Sequence, residues 1–371
     1  MSHASPCIAL ASGGSGGHVF PAEALARELL GRGLKVVLIT DQRGARFGED
    51  VPVPVARIRA SKMGQGLIGK ARSFLEMGIG FLQAFRVLKK LRPSVVIGFG
   101  GYPSIPTLYA AAQLGIPIIL HEQNAVLGRA NRAMADKARV IATGFPHVVG
   151  VAGALKSRLV HTGNPVRAAF IALRGTPYLA PTPEGPIRLL VLGGSQGARV
   201  FSSVVPQALA LLPDPVRRRI VIAQQCRKET LDEARAAFAA AGMEAELASF
   251  FTDVPERMGA AHLVIGRAGA STLAELTTVG RPSILVPFPH GHAGEQTANA
   301  ESLAEAGGAW LIPEQAFTPD SLAVRLESLI AMPDALSQTA AAARAWGKIS
   351  AADALADVVA QVVQEGRPAG G

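Results

Sequence analysis

Cysteine is scarce in this chain: among 371 residues there are two, Cys7 and Cys226, one in each half. A disulfide framework is thereby excluded, and a reducing cytosol is the natural compartment. Long apolar runs are missing too. No stretch approaches the roughly 18 uninterrupted apolar residues of a membrane-spanning helix. The N-terminus lacks a basic region leading into a long apolar segment, so no signal peptide is expected. Aromatic residues make up only 5%. With no zinc-finger spacing and no RNA-platform pattern, a nucleic-acid partner is not expected.

What is present points to a globular protein with an anionic partner. Hydrophobic residues account for 49%, and the length accommodates two domains with full cores. Lys and Arg number 37 against 28 Asp and Glu, a net charge of +9. Anionic lipid and phosphorylated substrates fit that excess.

The segment Gly13-Gly14-Ser15-Gly16-Gly17-His18 follows a short apolar strand, Cys7 to Ala11, and precedes a helix expected to begin with Pro21 at its first position. Glycines let a backbone approach a ligand closely, and a helix start presents N–H groups at the positive end of a dipole. The device recurs 180 positions later. Gly193-Gly194-Ser195-Gln196-Gly197 follows Arg188 to Leu192 and precedes another helix. Two halves that open alike suggest two similarly built α/β domains facing one ligand cleft.

Leu34 to Thr40, closed by Asp41, completes a βαβ unit, which raises an NAD-dependent oxidoreductase as an alternative. The dinucleotide fingerprint fails, since counting from Gly14 it requires Gly or Ala where Val19 stands. Further strands are expected at 94–97, 116–120 and near Val160. They lead into Gly100-Gly101-Tyr102-Pro103, His121-Glu122-Gln123-Asn124 and Gly163-Asn164-Pro165-Val166-Arg167. Residues 171–187, rich in proline, read as an interdomain linker. They separate an N-terminal domain, 1–170, from a C-terminal one, 188–350. The second half alternates strands (189–192, 220–223, 262–265, 283–286, 309–312) with helices (199–211, 228–240, 272–279, 296–306), as a parallel sheet requires. Residues 351–371 are expected to form a helix packing back on the N-terminal domain, and then a frayed tail.

Residues 61–92 stand apart. Leu67, Ile68, Phe74, Leu75, Phe81, Leu82 and Phe85 interleave with seven bases, among them Lys70, Arg72, Lys89 and Lys90, against one acid, Glu76. This stretch is either a core-facing helix with a solvated edge or an apolar patch rimmed by bases that rests on an anionic membrane. On the second view alone, the chain would be a nonenzymatic membrane-surface scaffold. Elsewhere, Thr272-x-x-Glu275 has capping-box spacing, so Glu275 either caps its helix or faces a ligand. His290 and His292 with Glu295 are candidate metal ligands, but no Asp-x-Asp occurs. The site is therefore read as metal-free and without a cofactor.

Six ordered motifs now carry a resemblance: Gly13 to Pro21, Gly100 to Ser104, His121 to Asn124, Gly163 to Arg167, Gly193 to Ala198, and Ala270-Ser271-Thr272-x-x-Glu275. Together they resemble the MurG family of peptidoglycan glycosyltransferases, along essentially the whole chain. The resemblance implies a GT-B fold of two Rossmann-like domains. It implies inverting transfer of N-acetylglucosamine from UDP-GlcNAc to the C4 hydroxyl of a lipid-linked muramoyl pentapeptide, converting lipid I to lipid II. The expected setting is the cytoplasmic face of the cell membrane, held peripherally, with other cell-wall synthesis proteins as partners. His18 and Glu275 become the catalytic-site residues, His18 as general base or phosphate holder and Glu275 on the ribose. Donor contacts carry over to Ser15, Gly16, Gly17, Asn124, Arg167, Ser195, Thr252, Ala270, Ser271, Thr272, Glu275 and Gln296. The acceptor diphosphate falls to Gly14, Ser15, Gly17, His18, Gly100, Gly101 and Tyr102. One departure is Glu295, where the family often has Gln.

Overall fold

In the computed structural model the described residues are 5–13, 16–42, 51–61, 66–194 and 198–366, the side chains of Leu67, Ile68 and His292 excepted. The expectations for Gly14, Ser15, Ser195 and the tail beyond 366 lie outside them. The chain divides into two units, Met1–Arg167 with Lys348–Gly371, and Ala168–Gly347.

The first unit holds seven strands: β1 (Cys7–Ala11), β2 (Lys35–Thr40), β3 (Val55–Arg57), β4 (Val95–Gly98), β5 (Ile118–Glu122), β6 (Val140–Thr143) and β7 (Leu159–His161). They form one parallel sheet in the order β3-β2-β1-β4-β5-β6-β7. Strand side chains alternate between faces, so one strand feeds two cores. Ile8, Leu10 and Ile97 meet α1 (Gly16–Gly31) and α14 (Ala351–Glu365) through Leu25, Leu29, Leu355 and Val359. Ala9 and Val96 face the other way. There they meet α2 (Gly66–Leu91) and α3 (Ser104–Gln113) through Ala84, Leu88 and Leu108. A short α4 (Arg129–Met134) follows β5. Burial on both sides is why these strands read as apolar runs.

Two local features differ from expectation. Helix α1 starts at Gly16, so Pro21 lies inside it rather than at its first position. The peptide of Pro21 has no N–H to offer the carbonyl four residues back, which is that of Gly17 in the first turn. As a result Gly16, Gly17 and His18 form the first turn, and their amides have no intrahelical partner. The segment 171–187 also groups with the second unit. Within that unit Arg174 donates to the carbonyls of Thr277 and Arg344 at 3.0 and 2.8 Å, and Tyr178 Oη donates to the His262 carbonyl at 2.8 Å.

The second unit has the strands β8 (Ile187–Leu192), β9 (Ile220–Gln225), β10 (Glu246–Ala248), β11 (Leu263–Gly266), β12 (Ser283–Leu285) and β13 (Trp310–Leu311), parallel in the order β10-β9-β8-β11-β12-β13. Its helices are α5 (Ala168–Ala172), α6 (Arg199–Ala210), α7 (Asp214–Arg217), α8 (Leu231–Ala240), α9 (Val254–Ala260), α10 (Ala270–Val279), α11 (Glu295–Glu305), α12 (Pro319–Ala331) and α13 (Pro333–Trp346). Phe201, Val205 and Leu209 of α6 and Leu322 and Leu326 of α12 bury against Leu189, Val191 and Ile265.

Candidate active site

In an open α/β sheet ligands bind beyond the carboxyl ends of the strands, where the strand order reverses. In the first unit that point lies between β1 and β4. The loop after β1 carries Gly13, and the loop after β4 carries Gly100 and Gly101. A Cβ on Gly13 would lie 3.3 Å from the Gly101 Cα, and one on Gly101 3.1 Å from the Gly13 Cα. Gly100 and Gly101 also hold φ of +81° and +76°. Glycine is therefore required here by both contact and conformation.

The same two glycines lie under the His18 ring. A Cβ on Gly100 or Gly101 would come within 3.3 Å of it. His18, Gly100 and Gly101 are thus brought together as expected. Among the described residues, nothing beyond the helix's own backbone and the chain neighbours lies within 4 Å of a Cβ built on Gly17.

Behind His18 lies a relay that fixes its protonation. Gln123 Oε1 is 3.2 Å from His18 Nδ1. Gln123 Nε2 donates to the carbonyls of Phe99 and His121 at 3.0 Å and faces His121 Nδ1 at 3.1 Å. His121 Nε2 is 3.2 Å from the Gly163 carbonyl. A carbonyl only accepts, so His121 carries its proton on Nε2, and its bare Nδ1 shares the two Gln123 Nε2 hydrogens with the two carbonyls. The amide is then oriented with its oxygen toward His18. An oxygen there accepts from His18 Nδ1–H, the tautomer that carries its lone pair on Nε2. Burial is the main influence on both imidazoles. It pushes His18 below the usual range, against the Gln123 bond and the charge of Glu122. It pulls His121 down to about 4, against the Gly163 bond and with the help of His18.

Glu122 has a separate task. Its carboxylate, 1% exposed, accepts from the Asn124 and Gly128 amides at 3.0 and 2.9 Å and from Asn131 Nδ2 at 2.8 Å. Charge-assisted bonds of this kind satisfy a buried carboxylate and fix the loop presenting Asn124. The Arg167 guanidinium stacks over the Phe20 ring of α1 at 4.5 Å. Tyr102 is turned elsewhere, onto an apolar cavity beside α2.

In the second unit the strand order reverses between β8 and β11. A Cβ on Gly266 would meet the Leu192 carbonyl at 3.3 Å, so the two strand ends converge here as Gly13 and Gly101 do. Helix α10 begins at Ala270 behind Gly269, which supplies no side-chain cap. The capping-box alternative for Thr272 and Glu275 is thereby corrected. The cap lies three residues before Thr272, and Glu275, 9% exposed, falls in the second turn. The amides of Ala270, Ser271 and Thr272 lack intrahelical partners, and the buried Ser271 Oγ has no hydrogen-bond partner. Polar groups left this way at a helix N-terminus suit an anion.

Two residues that the sequence motifs left without a role hold this site. Arg267, 8% exposed, donates to the Val286 and Pro287 carbonyls at 3.0 and 3.2 Å and pairs with Glu314. It lies between the rings of Phe201 and Phe288, at 5.2 and 5.4 Å. Asn299 Nδ2 donates to the Ala268 carbonyl at 3.0 Å. A single Arg among small residues just after a buried strand was the available signal. Gln296 Oε1 accepts from the Phe288 amide at 3.0 Å, so part of its side chain positions the loop after β12. Thr252 is exposed after β10, beside Phe251, whose ring lies 4.2 Å under the Arg257 guanidinium.

Along α2, Lys70, Arg72, Phe74, Leu75, Leu82, Lys89 and Lys90 are exposed, and Phe81 and Phe85 half-buried. Among the described residues no group of three or more His, Cys, Asp or Glu is placed to hold a metal ion, and no helix is long and apolar enough to cross a membrane.

Two parallel-sheet units, each with a glycine loop where its strand order reverses, have the GT-B architecture. Residues 8–143 match the glycosyltransferase family 28 N-terminal domain and residues 188–359 its C-terminal domain. The chain belongs to glycosyltransferase family 28, within its MurG branch. It is 58% identical over 353 residues to the UDP-N-acetylglucosamine–N-acetylmuramyl-(pentapeptide) pyrophosphoryl-undecaprenol N-acetylglucosamine transferase of Rhodospirillum centenum, covering 95% of this chain and 93% of the relative. The enzyme of that name from Paramagnetospirillum magneticum is 56% identical, with 98% of each chain covered. The crystal structure of Acinetobacter baumannii MurG superimposes with a TM-score of 0.77 at 28% identity, covering 96% of this chain and 99% of that one. None of these supports the oxidoreductase alternative.

Proposed function

We propose that this chain moves N-acetylglucosamine from UDP-GlcNAc to the C4 hydroxyl of a muramoyl pentapeptide carried on undecaprenyl diphosphate, with inversion at the anomeric carbon. The observation that carries this reading is the near full-length match to relatives bearing that name, which extends over both glycine loops.

The donor belongs to the second unit. Its diphosphate lies against the start of α10, where the amides and Ser271 hydroxyl await acceptors and the helix dipole offsets negative charge. Glu275 takes the ribose hydroxyls, and Ser195 meets the diphosphate from the loop after β8. Thr252 lies by the uracil. From β11 to β10 is three strand spacings, about 14 Å, a span that suits a nucleoside diphosphate. Gln296 faces the sugar with the part of its amide not bonded to Phe288, and Asn124 and Arg167 complete the donor contacts.

The acceptor diphosphate lies on the first unit, over the start of α1 and Gly100-Gly101. His18 Nε2, kept unprotonated by the relay behind it, removes the proton from the attacking hydroxyl as UDP leaves the opposite face. Lys70, Arg72, Lys89 and Lys90 with Phe74, Leu75 and Leu82 hold the protein on the anionic cytoplasmic face of the membrane. In that place it works alongside other wall-building proteins and bears on cell shape and division.

The test is transfer of radiolabelled GlcNAc from UDP-GlcNAc to a short-chain lipid I analogue, together with thermal stabilisation by UDP and none by NAD. Stabilisation by NADH without transfer would overturn the reading. Charge reversal at the four bases is expected to release the protein from anionic vesicles while UDP binding persists. Unchanged vesicle binding would reduce that helix to a solvated edge.

A further inference from the structure

The segment 249–253 leaves β10, which lies at the sheet edge beside β9, and leads into α9. A strand of three residues has few ladder bonds with which to hold the turn that follows it. Arg257 of α9 holds that turn with all three guanidinium nitrogens. Nη1 and Nη2 donate to Glu246 Oε2 and Oε1, both at 2.6 Å, and Nε donates to Asp253 Oδ1 at 2.8 Å. The flat face of the same group covers the Phe251 ring at 4.2 Å. Phe251 is 5% exposed, whereas Phe250 is 69% exposed and Thr252 is exposed as well. Anchoring Phe251 inward therefore directs its two neighbours out to solvent. Asp253 precedes α9 and is of the type that ordinarily caps a helix, yet its carboxylate makes no cap bond and goes to Arg257 instead.

A single ion pair at a surface contributes little, but a bidentate fork joined to a second carboxylate and an aromatic face fixes geometry. The bonds to Arg257 hold the Glu246 and Asp253 carboxyls below their ordinary range. The core that joins α6 and α12 to the sheet contains none of Glu246, Phe251 and Arg257. The clamp thus shapes a loop more than it supports the unit. We infer that Arg257 is a positioning residue for the donor's base: through Glu246, Asp253 and Phe251 it sets the segment 249–253 that meets the uracil. This rests on the function proposed above, which puts the uracil by Thr252, and adds to it a residue outside the six motifs. A loop ordered before the ligand arrives spares the ligand the cost of ordering it. The diphosphate and ribose are held elsewhere, at the start of α10 and by Glu275, so Arg257 acts on the base alone.

The experiment titrates the full chain by calorimetry with two ligands, UDP and ribose 5-diphosphate, which is UDP without its base. Arg257→Met keeps an apolar stem over Phe251 and removes the pairs, and Glu246→Ala removes the fork from the other side. Arg257→Met is expected to weaken UDP about tenfold and Glu246→Ala about threefold, while ribose 5-diphosphate changes by less than about twofold. The KM for UDP-GlcNAc rises in step, and kcat at saturating donor and the KM for acceptor stay within about twofold of the parent. Because the two residues act as one clamp, the double variant binds UDP no more weakly than Arg257→Met alone. The pairs are partly exposed, so melting temperatures stay within a few degrees of the parent, which also reports that the variants fold. Equal weakening of both ligands, UDP binding unchanged in both variants, or additive losses in the double variant would overturn the inference while leaving the transfer reaction in place. Failure of the unaltered protein to bind UDP would overturn the transferase reading, and this one with it.

Discussion

Gln123 is the sharpest point at which to test the proposed chemistry, because it never needs to touch substrate. Its side chain, 2% exposed, is oriented by His121, and its oxygen accepts from His18 at 3.2 Å. As His18 takes a proton it becomes an imidazolium, and the Gln123 bond becomes charge-assisted, worth about 1.5–3 kcal/mol. At about 1.4 kcal/mol per factor of ten, its loss should lower kcat by roughly ten- to a hundredfold. Gln123→Leu removes that bond and is expected to show this fall across the pH range. The KM for UDP-GlcNAc is expected to stay the same, since Gln123 is itself given no donor contact and the Glu122 bonds that hold Asn124 are left in place. Gln123→Glu acts differently. It keeps an acceptor toward His18 but places an oxygen against two carbonyls and the bare Nδ1 of His121, which favours protonation of both imidazoles. An opposite charge at this distance raises a histidine pKa by about 1–3 units. In the unaltered protein burial lowers the His18 pKa, so the acid limb of kcat/KM lies below the ordinary imidazole value of 6.5. In Gln123→Glu that limb moves up, with activity suppressed near pH 6.5 and recovering above pH 8. The assay is a pH series of initial rates with radiolabelled donor. A Gln123→Glu profile superimposable on the parent would refute the relay.

Three further expectations concern the frame around the site. His121 falls from 6.5 when unfolded to about 4 when folded, so between those values the unfolded chain binds the extra proton and stability drops as pH falls. The window is worth about 3 kcal/mol, and His121→Gln should remove that slope in denaturant titrations at pH 4.5 and 7. Gly80→Ala should cost about 1–3 kcal/mol or more, because the new methyl meets backbone rather than a movable side chain. Gly78→Ala, with nothing within 4 Å, should gain up to about 1 kcal/mol in the same thermal melts. Arg32 joins Glu28 of α1 to Asp353 and Asp357 of α14. Its pairs are partly exposed, so Arg32→Ala should cost only about 1 kcal/mol, and less in high salt.

How much of this could be read in the residues depended on how local each feature is. Strands β1, β2, β4, β8 and β11 were legible because burial on both faces turns them into apolar runs. Strand β10, at three residues on the sheet edge, carries too little pattern to register. The helix α12 was overlooked although its signals are local: Leu322, Leu326 and Leu329 recur at helical spacing behind Thr318 and Pro319. The glycine loops were visible as composition. Their pairing at the β1–β4 and β8–β11 junctions is a product of strand order, which no local stretch encodes. Pro21 misled for a related reason: its preference for a first turn is real, but five residues, Gly16 to Phe20, extend the helix ahead of it.

Side-chain direction is the part least encoded locally, and Tyr102 and Gln123 show this in opposite ways. Tyr102 was assigned with the two glycines that precede it, and it also lines the cavity beside α2, which no local pattern announces. Gln123 lay within the His121-Glu122-Gln123-Asn124 motif and carried no assigned role. Its importance follows from a proton balance spanning three segments, from the Gly163 carbonyl through His121 and Gln123 to His18, which are separated in sequence and brought together by the sheet. A residue that acts by orienting another leaves no chemical signature of its own. It is found by following each donor to its acceptor until the chain of bonds reaches a group that chemistry can use, which here is the His18 imidazole.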